Sequence, residues 1–178
     1  TVETALLQLW PQMASVGLLV TVADRYATDL VALDLDGRAG RIARQAAFLS
    51  DAYESLALAL DAQDDAQDPE RRYLTAIARG MEPETIPDLP HARAIASAFG
   101  TASGRGAAGM PPTLGEQRKS GRLGEVILRA IALIASGAQG NGQDLTDGLA
   151  TLRSLGLEDA ARRTALQLIV LDMERARR

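Results

Sequence analysis

The chain has 178 residues, of which 47% are apolar and only 3% aromatic, and it carries a net charge of −4. The apolar content excludes a disordered chain, and the absence of Cys excludes disulfides, thiolate nucleophiles and Cys-ligated zinc or iron–sulfur sites. The mild acidity offers no support for a surface that follows nucleic-acid phosphates. Because Ala and Leu favour helices and the residues that favour strands are few, the composition predicts an all-α protein.

Five helices are predicted in the first hundred residues, from apolar side chains that recur at steps of three and four. The third is the longest, and it places Ile42, Tyr53 and Leu56 on one face. Thr1 is suited to cap the first helix, in which Pro11 either produces a kink or starts a new helix. The predicted ranges are residues 1–15, 18–37, 38–62, 69–80 and 91–100.

Residues 100–124 are predicted to form one long irregular loop, because seven of the sixteen glycines lie there together with Pro111 and Pro112. Three further helices follow, over residues 123–137, 144–156 and 157–178. The prediction is thus a single all-helical domain, residues 1–178, in which the 100–124 loop separates an N-terminal five-helix part from a C-terminal three-helix part. Since short connections make neighbouring helices antiparallel, we expect about eight helices stacked as helical hairpins, either α-solenoid-like or as an irregular bundle.

One glycine motif resembles a nucleotide-binding signature. The stretch "GRGAAG" contains Gly104, Gly106 and Gly109 at the spacing G-x-G-x-x-G. The dinucleotide-binding motif also needs a preceding strand and a helix that starts at once, whereas here a predicted helix precedes the motif and Pro111 follows it. A loop of small residues is the favoured interpretation, and no cofactor is predicted.

Polar residues offer only weak candidates for catalysis or metal binding. Glu54 and Ser55 resemble the Glu-Ser pair of lytic murein transglycosylases, in which the Glu is the general acid, but the resemblance covers that dipeptide alone. The acidic residues within 61–70 could hold a hard cation, although the run lacks the central Gly of an EF-hand loop. His91 is the single His, which excludes a catalytic triad or a two-His metal site within one chain. Solvated positions are favoured for all of them, so no catalytic residue and no metal site is predicted.

The segment "LGLEDAARRTALQLI" resembles the turn and second helix of a tetratricopeptide-type repeat. In that family a small residue ends the first helix, an acidic turn follows, and a small Ala lies five residues later; Gly156 and Ala161 match these positions. Ala165 and Leu168 stand where the family has a bulky residue and a small Ala, and no clean period of thirty-four residues is present. The resemblance implies an α-solenoid-like stack and, by analogy, a protein-binding role.

We therefore expect a non-enzymatic interaction or scaffold module that binds another protein, with a homo-oligomer left open. The expected surface lies in the last helix, where the run "LIVL" points apolar side chains in nearly every direction and so needs more than one neighbour. Its residues are Leu168, Ile169, Leu171 and Met173. A helical bundle that binds a small molecule or lipid is the first alternative, and a hydrolase that uses Glu54 is the second.

The sequence also suggests where the protein acts. No apolar run is long enough to predict a membrane-spanning helix. The first residue is Thr1 rather than Met, which indicates either a mature product after removal of a signal or a fragment of a larger protein. Lys119 is the single Lys among many Arg residues, which we interpret as a genomic composition bias. A bacterial protein is expected, with the periplasm favoured over the cytoplasm.

Overall fold

A computed structural model describes residues 1–61, 68–100 and 109–176 of the chain. Within these ranges the regular structure consists of ten α-helices without a strand, which confirms the all-α prediction. The helices are α1 (Val2–Ser15), α2 (Leu19–Ala32), α3 (Gly37–Leu49), α4 (Tyr53–Asp61), α5 (Pro69–Ala78), α6 (Ala92–Phe99), α7 (Pro112–Lys119), α8 (Leu123–Gly137), α9 (Gly142–Ser154) and α10 (Glu158–Ala176).

The chain divides into two compact units. The terminal unit comprises Thr1–Asp68 and Val170–Arg178, so it contains α1 to α4 and the end of α10. The central unit comprises Pro69–Ile169 and contains α5 to α9 and the start of α10. The boundaries therefore fall after α4 and within α10 rather than in residues 100–124, and the single-domain prediction for residues 1–178 stays a prediction.

In the terminal unit, α2 packs along α3, and α1 contacts both of them. Trp10 of α1, Leu19 of α2 and Phe48 of α3 are buried in its core. Ala39 and Ala46 of α3 are fully buried among them. Because alanine lets helix backbones approach closely, a few large side chains are enough to fill this core.

In the central unit, α9 packs against both α8 and α6. Leu145 and Leu149 of α9 and Ile95 of α6 are fully buried. Gly148 of α9 lies where α8 and α9 meet, and a Cβ atom there would stand 2.9 Å from the carbonyl oxygen of Ala130. A side chain would force the two helices apart, so the glycine allows one side of α8 to rest closely on α9.

The predicted long helix over residues 38–62 is in fact two helices, α3 and α4, which separate at Ser50. Ser50 has an extended backbone, and its hydroxyl donates to the carbonyl oxygen of Ala47 at 2.9 Å. The N–H of Asp51 donates to a carboxylate oxygen of Asp24 in α2, also at 2.9 Å. The prediction of one helix is wrong because a side chain from a distant part of the sequence holds the break, and apolar spacing carries no trace of that contact.

The predicted loop over residues 100–124 contains α7 and the first two residues of α8. Pro112 occupies the first position of α7, where the missing N–H has no helical partner in any case. Leu114 of α7 is buried in a cluster with Met110 and Val126, and this contact stabilises a short helix of low intrinsic propensity. The loop prediction is therefore wrong for residues 112–119, while residues 101–108 lie outside the described part of the chain.

Several helix ends agree with the sequence. The hydroxyl of Thr1 caps α1 by accepting from the N–H of Thr4 at 3.3 Å, and α1 continues through Pro11. Gly156 follows α9 with a φ of +80°, and the N–H of Leu157 donates to the carbonyl oxygen of Leu152 at 2.9 Å. This bond pattern with a left-handed residue is the usual glycine stop of a helix, so the predicted stop at Gly156 is confirmed.

Candidate interaction surface

One side of α8 is apolar and is left uncovered by the residues that the structure describes. Leu128 is 69% exposed and Ile131 is 53% exposed, whereas Val126 and Ala130 on the opposite side of the helix are fully buried. We call this exposed side the α8 face. Its residues are Gly124, Leu128, Ile131, Ala132 and Ala135. They follow one another at helical spacing and carry no charge, so they form a continuous apolar strip.

The buried side of α8 holds the α8 face in place. Beyond the contact at Gly148, a Cβ atom on Gly137 would stand 2.6 Å from the Cα atom of Leu145 in α9. The hydroxyl of Ser136 donates to the carboxylate of Asp144 at 2.5 Å, which ties the end of α8 to the first turn of α9. The α8 face is therefore presented by a helix fixed along its length, not by a mobile segment.

A charged edge runs beside the first half of the α8 face. Arg129 donates from Nε to the Oε1 atom of Glu125 at 3.0 Å, and Arg122 forms an ion pair with the other oxygen. The hydrogen bond from Arg129 holds the pKa of the Glu125 carboxyl below its ordinary value, with further Coulombic help from Arg122 and Arg129. Two arginines thus share one carboxylate, and the edge keeps a positive charge.

The surroundings of this edge are basic as well. Between residues 116 and 129 the chain carries four cationic side chains and two carboxylates, in a protein whose net charge is −4. Arg118 reaches the carbonyl oxygen of Ser154, and Lys119 pairs with Glu116 at 3.0 Å. The apolar α8 face is therefore bordered on one side by the most basic stretch of α7 and α8.

The surface that the sequence suggested for a partner is largely covered by the chain itself. Ile169 is fully buried and Met173 is only 2% exposed, while Leu168 and Leu171 are half-buried. Met173 accepts a long contact of 3.8 Å from the Nε2 atom of Gln45 within the terminal unit. As a correction to the prediction, Ile169 and Met173 are not exposed, because the several neighbours that the "LIVL" run requires are already supplied within the chain.

The other candidate residues are not brought together into a site. Glu54 is exposed in the first turn of α4, and Gly109 is the only glycine of "GRGAAG" within the described residues. His91 is buried at the start of α6 and not at the surface, contrary to its predicted position. In the described ranges, no group of three or more His, Asp or Glu side chains is arranged to hold a metal ion. Across those same ranges, no helix has the length and hydropathy needed to span a membrane.

Arg153 joins three helix ends in the central unit. Its guanidinium group donates to the carbonyl oxygen of Gly80 at 3.1 Å and to that of Ala98 at 2.8 Å. Its Nε atom lies 3.0 Å from Glu158, and its Cζ atom lies 4.4 Å from the ring centroid of Phe99. These contacts satisfy carbonyl groups that the ends of α5 and α6 leave unpaired, so the role they support for Arg153 is structural.

An open hollow of about 600 Å³ lies beside Arg153. Met81 and Phe99 give it apolar walls, and Glu82 and Glu84 give it acidic ones. The hollow is large enough for a small organic molecule.

The sequence of α8 contains a pattern that could have pointed to the α8 face. The stretch "VILRAIALIA" at residues 126–135 places Leu, Ile or Ala on every side of the helix except the edge that holds Arg129. Such a helix needs either several neighbours or a partner. The apolar run of α10 has the same need, and only the tertiary structure shows which of the two helices has its neighbours within the chain.

Comparison with known proteins identifies no relative. No family model matches the chain. A search of curated proteins and a search of solved structures likewise find no match. The function must therefore be argued from the geometry of the described residues.

Proposed function

We propose that the protein is a non-enzymatic interaction or scaffold module whose α8 face binds a helix of another protein. The observation that carries this proposal is the exposure of Leu128 and Ile131 on a helix whose opposite side is firmly packed. Exposed apolar strips of this kind on a rigid element are typical of partner-binding surfaces. The hairpin arrangement suggested by the resemblance to tetratricopeptide repeats is part of the same proposal.

The small residues of the α8 face favour a helix as the bound element. Gly124, Ala132 and Ala135 leave shallow gaps beside Leu128 and Ile131. A second helix can place its own large side chains into such gaps, since ridges pack into grooves at helix–helix contacts. The α8 face spans residues 124–135 of this 15-residue helix, about 18 Å at 1.5 Å per residue, which matches about three turns of a partner helix.

The charged edge favours a partner with carboxylates. Arg122 and Arg129 share Glu125, so an acidic side chain next to the apolar strip of the partner would complete the pairing. A second copy of α8 would bring only its own Glu125 as a carboxylate, and two arginines of that copy already share it. We therefore propose an amphipathic partner helix with Glu or Asp beside its apolar strip.

Two designed peptides test the proposal. Both carry the same Leu strip over 18 residues, but one has Glu and the other has Lys beside the strip. Binding to the full 178-residue chain is followed by fluorescence anisotropy. We expect the Glu peptide to bind more tightly, with an affinity that falls as salt is raised, because the ion pairs at the edge are solvent-exposed.

Matched variants locate the binding site. The double substitution Leu128→Gln and Ile131→Gln should abolish binding. Leu9→Gln, which changes an exposed side chain of α1, should leave binding unchanged. Equal binding of both peptides, or full binding by the double variant, would contradict the proposal. If the unmodified chain self-associates and the double variant does not, the occupant of the α8 face is a second copy of this chain and not the proposed partner.

A small-molecule-binding protein is the second candidate, and the hollow beside Arg153 is the observation that favours it. Its acidic walls suit a ligand with one cationic group and an apolar body. A thermal-shift screen of such amines, repeated on Glu82→Gln, tests it. Stabilisation that is lost in the variant would support this candidate, and no stabilisation by any amine would count against it.

A further inference from the structure

Trp10 has a buried hydrogen-bond donor to which no described residue offers an acceptor. Its side chain is 1% exposed, and its indole N–H finds no partner among the described residues. An indole N–H can only donate, and buried donors in folded proteins are nearly always paired. An unpaired buried donor destabilises the fold, so the arrangement suggests that a further group supplies the acceptor.

Trp10 also lines a small cavity within the terminal unit. The cavity has a volume of about 30 Å³, which is enough for a single water molecule or an ion of similar size. Its lining consists of Trp10, Arg38, Arg41, Ile42, Gln45 and Glu174. An acceptor in this cavity would thus lie next to the indole ring and beside the part of α3 that carries Arg38 and Arg41.

The lining has an excess of positive charge. Arg38, Arg41 and Gln45 recur at steps of three and four along α3 and so lie on one side of that helix. Glu174 of α10 is the single carboxylate among the lining residues, against two arginines. Gln45 is buried, and its Nε2 atom lies 3.8 Å from the Met173 sulfur.

We propose that this cavity is a binding site for a small anion, either a halide ion or one oxygen of a carboxylate. Such an anion accepts the hydrogen bond for which the indole N–H of Trp10 finds no acceptor among the described residues, and it is held by the charges of Arg38 and Arg41. A water molecule could also accept from the indole, but water is neutral, whereas two arginines against one carboxylate give the lining a positive charge that favours an anion. A bound anion accounts for both the unpaired indole N–H and the positive charge of the lining. The cavity belongs to the terminal unit, whereas the α8 face belongs to the central unit.

Fluorescence provides a direct test, because Trp10 is the only Trp of the chain. Chloride and formate are titrated separately into the full chain at constant ionic strength, with gluconate, which is too large for the cavity, as the replacement anion. We expect a saturable change in Trp10 emission and a rise in Tm with chloride, with formate, or with both. The anion that produces the effect distinguishes a halide site from a carboxylate site.

Two arginine variants show whether the effect belongs to the cavity. Arg41→Gln should weaken anion binding about tenfold, the change expected when a hydrogen bond to a charged group is lost. Arg25→Gln removes the same charge from the exposed surface of α2 and should leave the affinity unchanged.

Trp10→Phe removes the N–H while keeping an aromatic ring, and its Tm should rise less with the anion than that of the unmodified chain. A water-filled cavity would give no response to either anion beyond that to gluconate, and this result would overturn the proposal. Equal affinities in Arg41→Gln and Arg25→Gln would overturn it as well.

Discussion

Two helices of this protein carry apolar runs of similar composition, yet the side chains of the two runs are buried to different extents. In α10 the run "ALQLIVLDM" at residues 165–173 has Leu166, Ile169 and Val170 fully buried. In α8 the run "VILRAIALIA" at residues 126–135 leaves Leu128 and Ile131 more than half exposed. The apolar content of a helix therefore does not reveal how many of its sides are covered, because coverage depends on the number of neighbouring helices.

The difference lies in the packing of each helix. The α8 helix rests on α9 along one side and contacts α7 near its start, and its remaining side faces outward. The residues of α10 that the sequence proposed for a partner are buried or half-buried. The exposed strip of α8 is therefore a better candidate for a partner surface than the covered run of α10. Three measurements test this contrast between the two helices.

The largest effect is expected from truncating the same residue type in the two helices. Ile169→Ala should lower the free energy of unfolding by about 2–5 kcal/mol, since it leaves a cavity at a fully buried position. Ile131→Ala should lower it by less than about 1 kcal/mol, because that side chain is already half in solvent. Urea denaturation of the full chain measures both. Similar losses for the two variants would show that the contrast between the helices is not real.

A smaller effect separates the two sides of α8. Gly148→Ala should destabilise the chain by about 1–3 kcal/mol, because the new Cβ would stand 2.7 Å from Ile134 and 2.9 Å from the carbonyl oxygen of Ala130. Gly124→Ala lies on the α8 face, where no atom comes within 4 Å, and should stabilise by up to about 1 kcal/mol. Thermal unfolding compares the pair. Stabilisation by Gly148→Ala would mean that α8 and α9 are not in close contact.

The smallest effect concerns the charged edge of the α8 face. The carboxyl of Glu125 should titrate below the ordinary Glu pKa of about 4.3, and Arg129→Gln should move that pKa back up. Because the pKa is lowered in the folded state, the stability it contributes is present above the unfolded pKa and is lost as pH falls through the folded one. NMR titration follows the carboxyl directly.

The matched control for this titration is Arg118→Gln, since Arg118 contacts Ser154 and not Glu125. This variant should leave the pKa of Glu125 where it is. Added salt should reduce the shift in the unmodified chain, because the pair is exposed. An identical pKa in Arg129→Gln and in the unmodified chain would contradict the assigned cause.

Local signals in the sequence predicted much of the fold. The predicted cap at Thr1 and the predicted stop at Gly156 lie where α1 begins and α9 ends, and α5 begins at residue 69 as predicted. The α9 helix begins two residues before its predicted start at 144, because Asn141 caps it by accepting from the N–H of Asp144 at 3.3 Å. Such signals act within a few residues, which is why a single sequence reveals them.

Such local signals cannot predict contacts between residues that lie far apart in the sequence. The break at Ser50 depends on Asp24, and α7 depends on the burial of Leu114 against Val126. For the same reason the sequence could not show that Ile169 and Met173 of α10 are buried. Periodicity identified α8 and α10 as apolar helices, but it cannot count the neighbours of either one.

The sequence by itself determined that the described chain is helical and where several of its helices start and stop, because helix propensity, capping and glycine conformation are local properties. The tertiary structure alone decided that the apolar run of α10 is covered, that the α8 face is exposed, and that Trp10 lies in a cavity beside Arg38 and Arg41. Burial and hydrogen-bond pairing are set by residues that lie far away along the chain, and those neighbours exist only once the chain has folded.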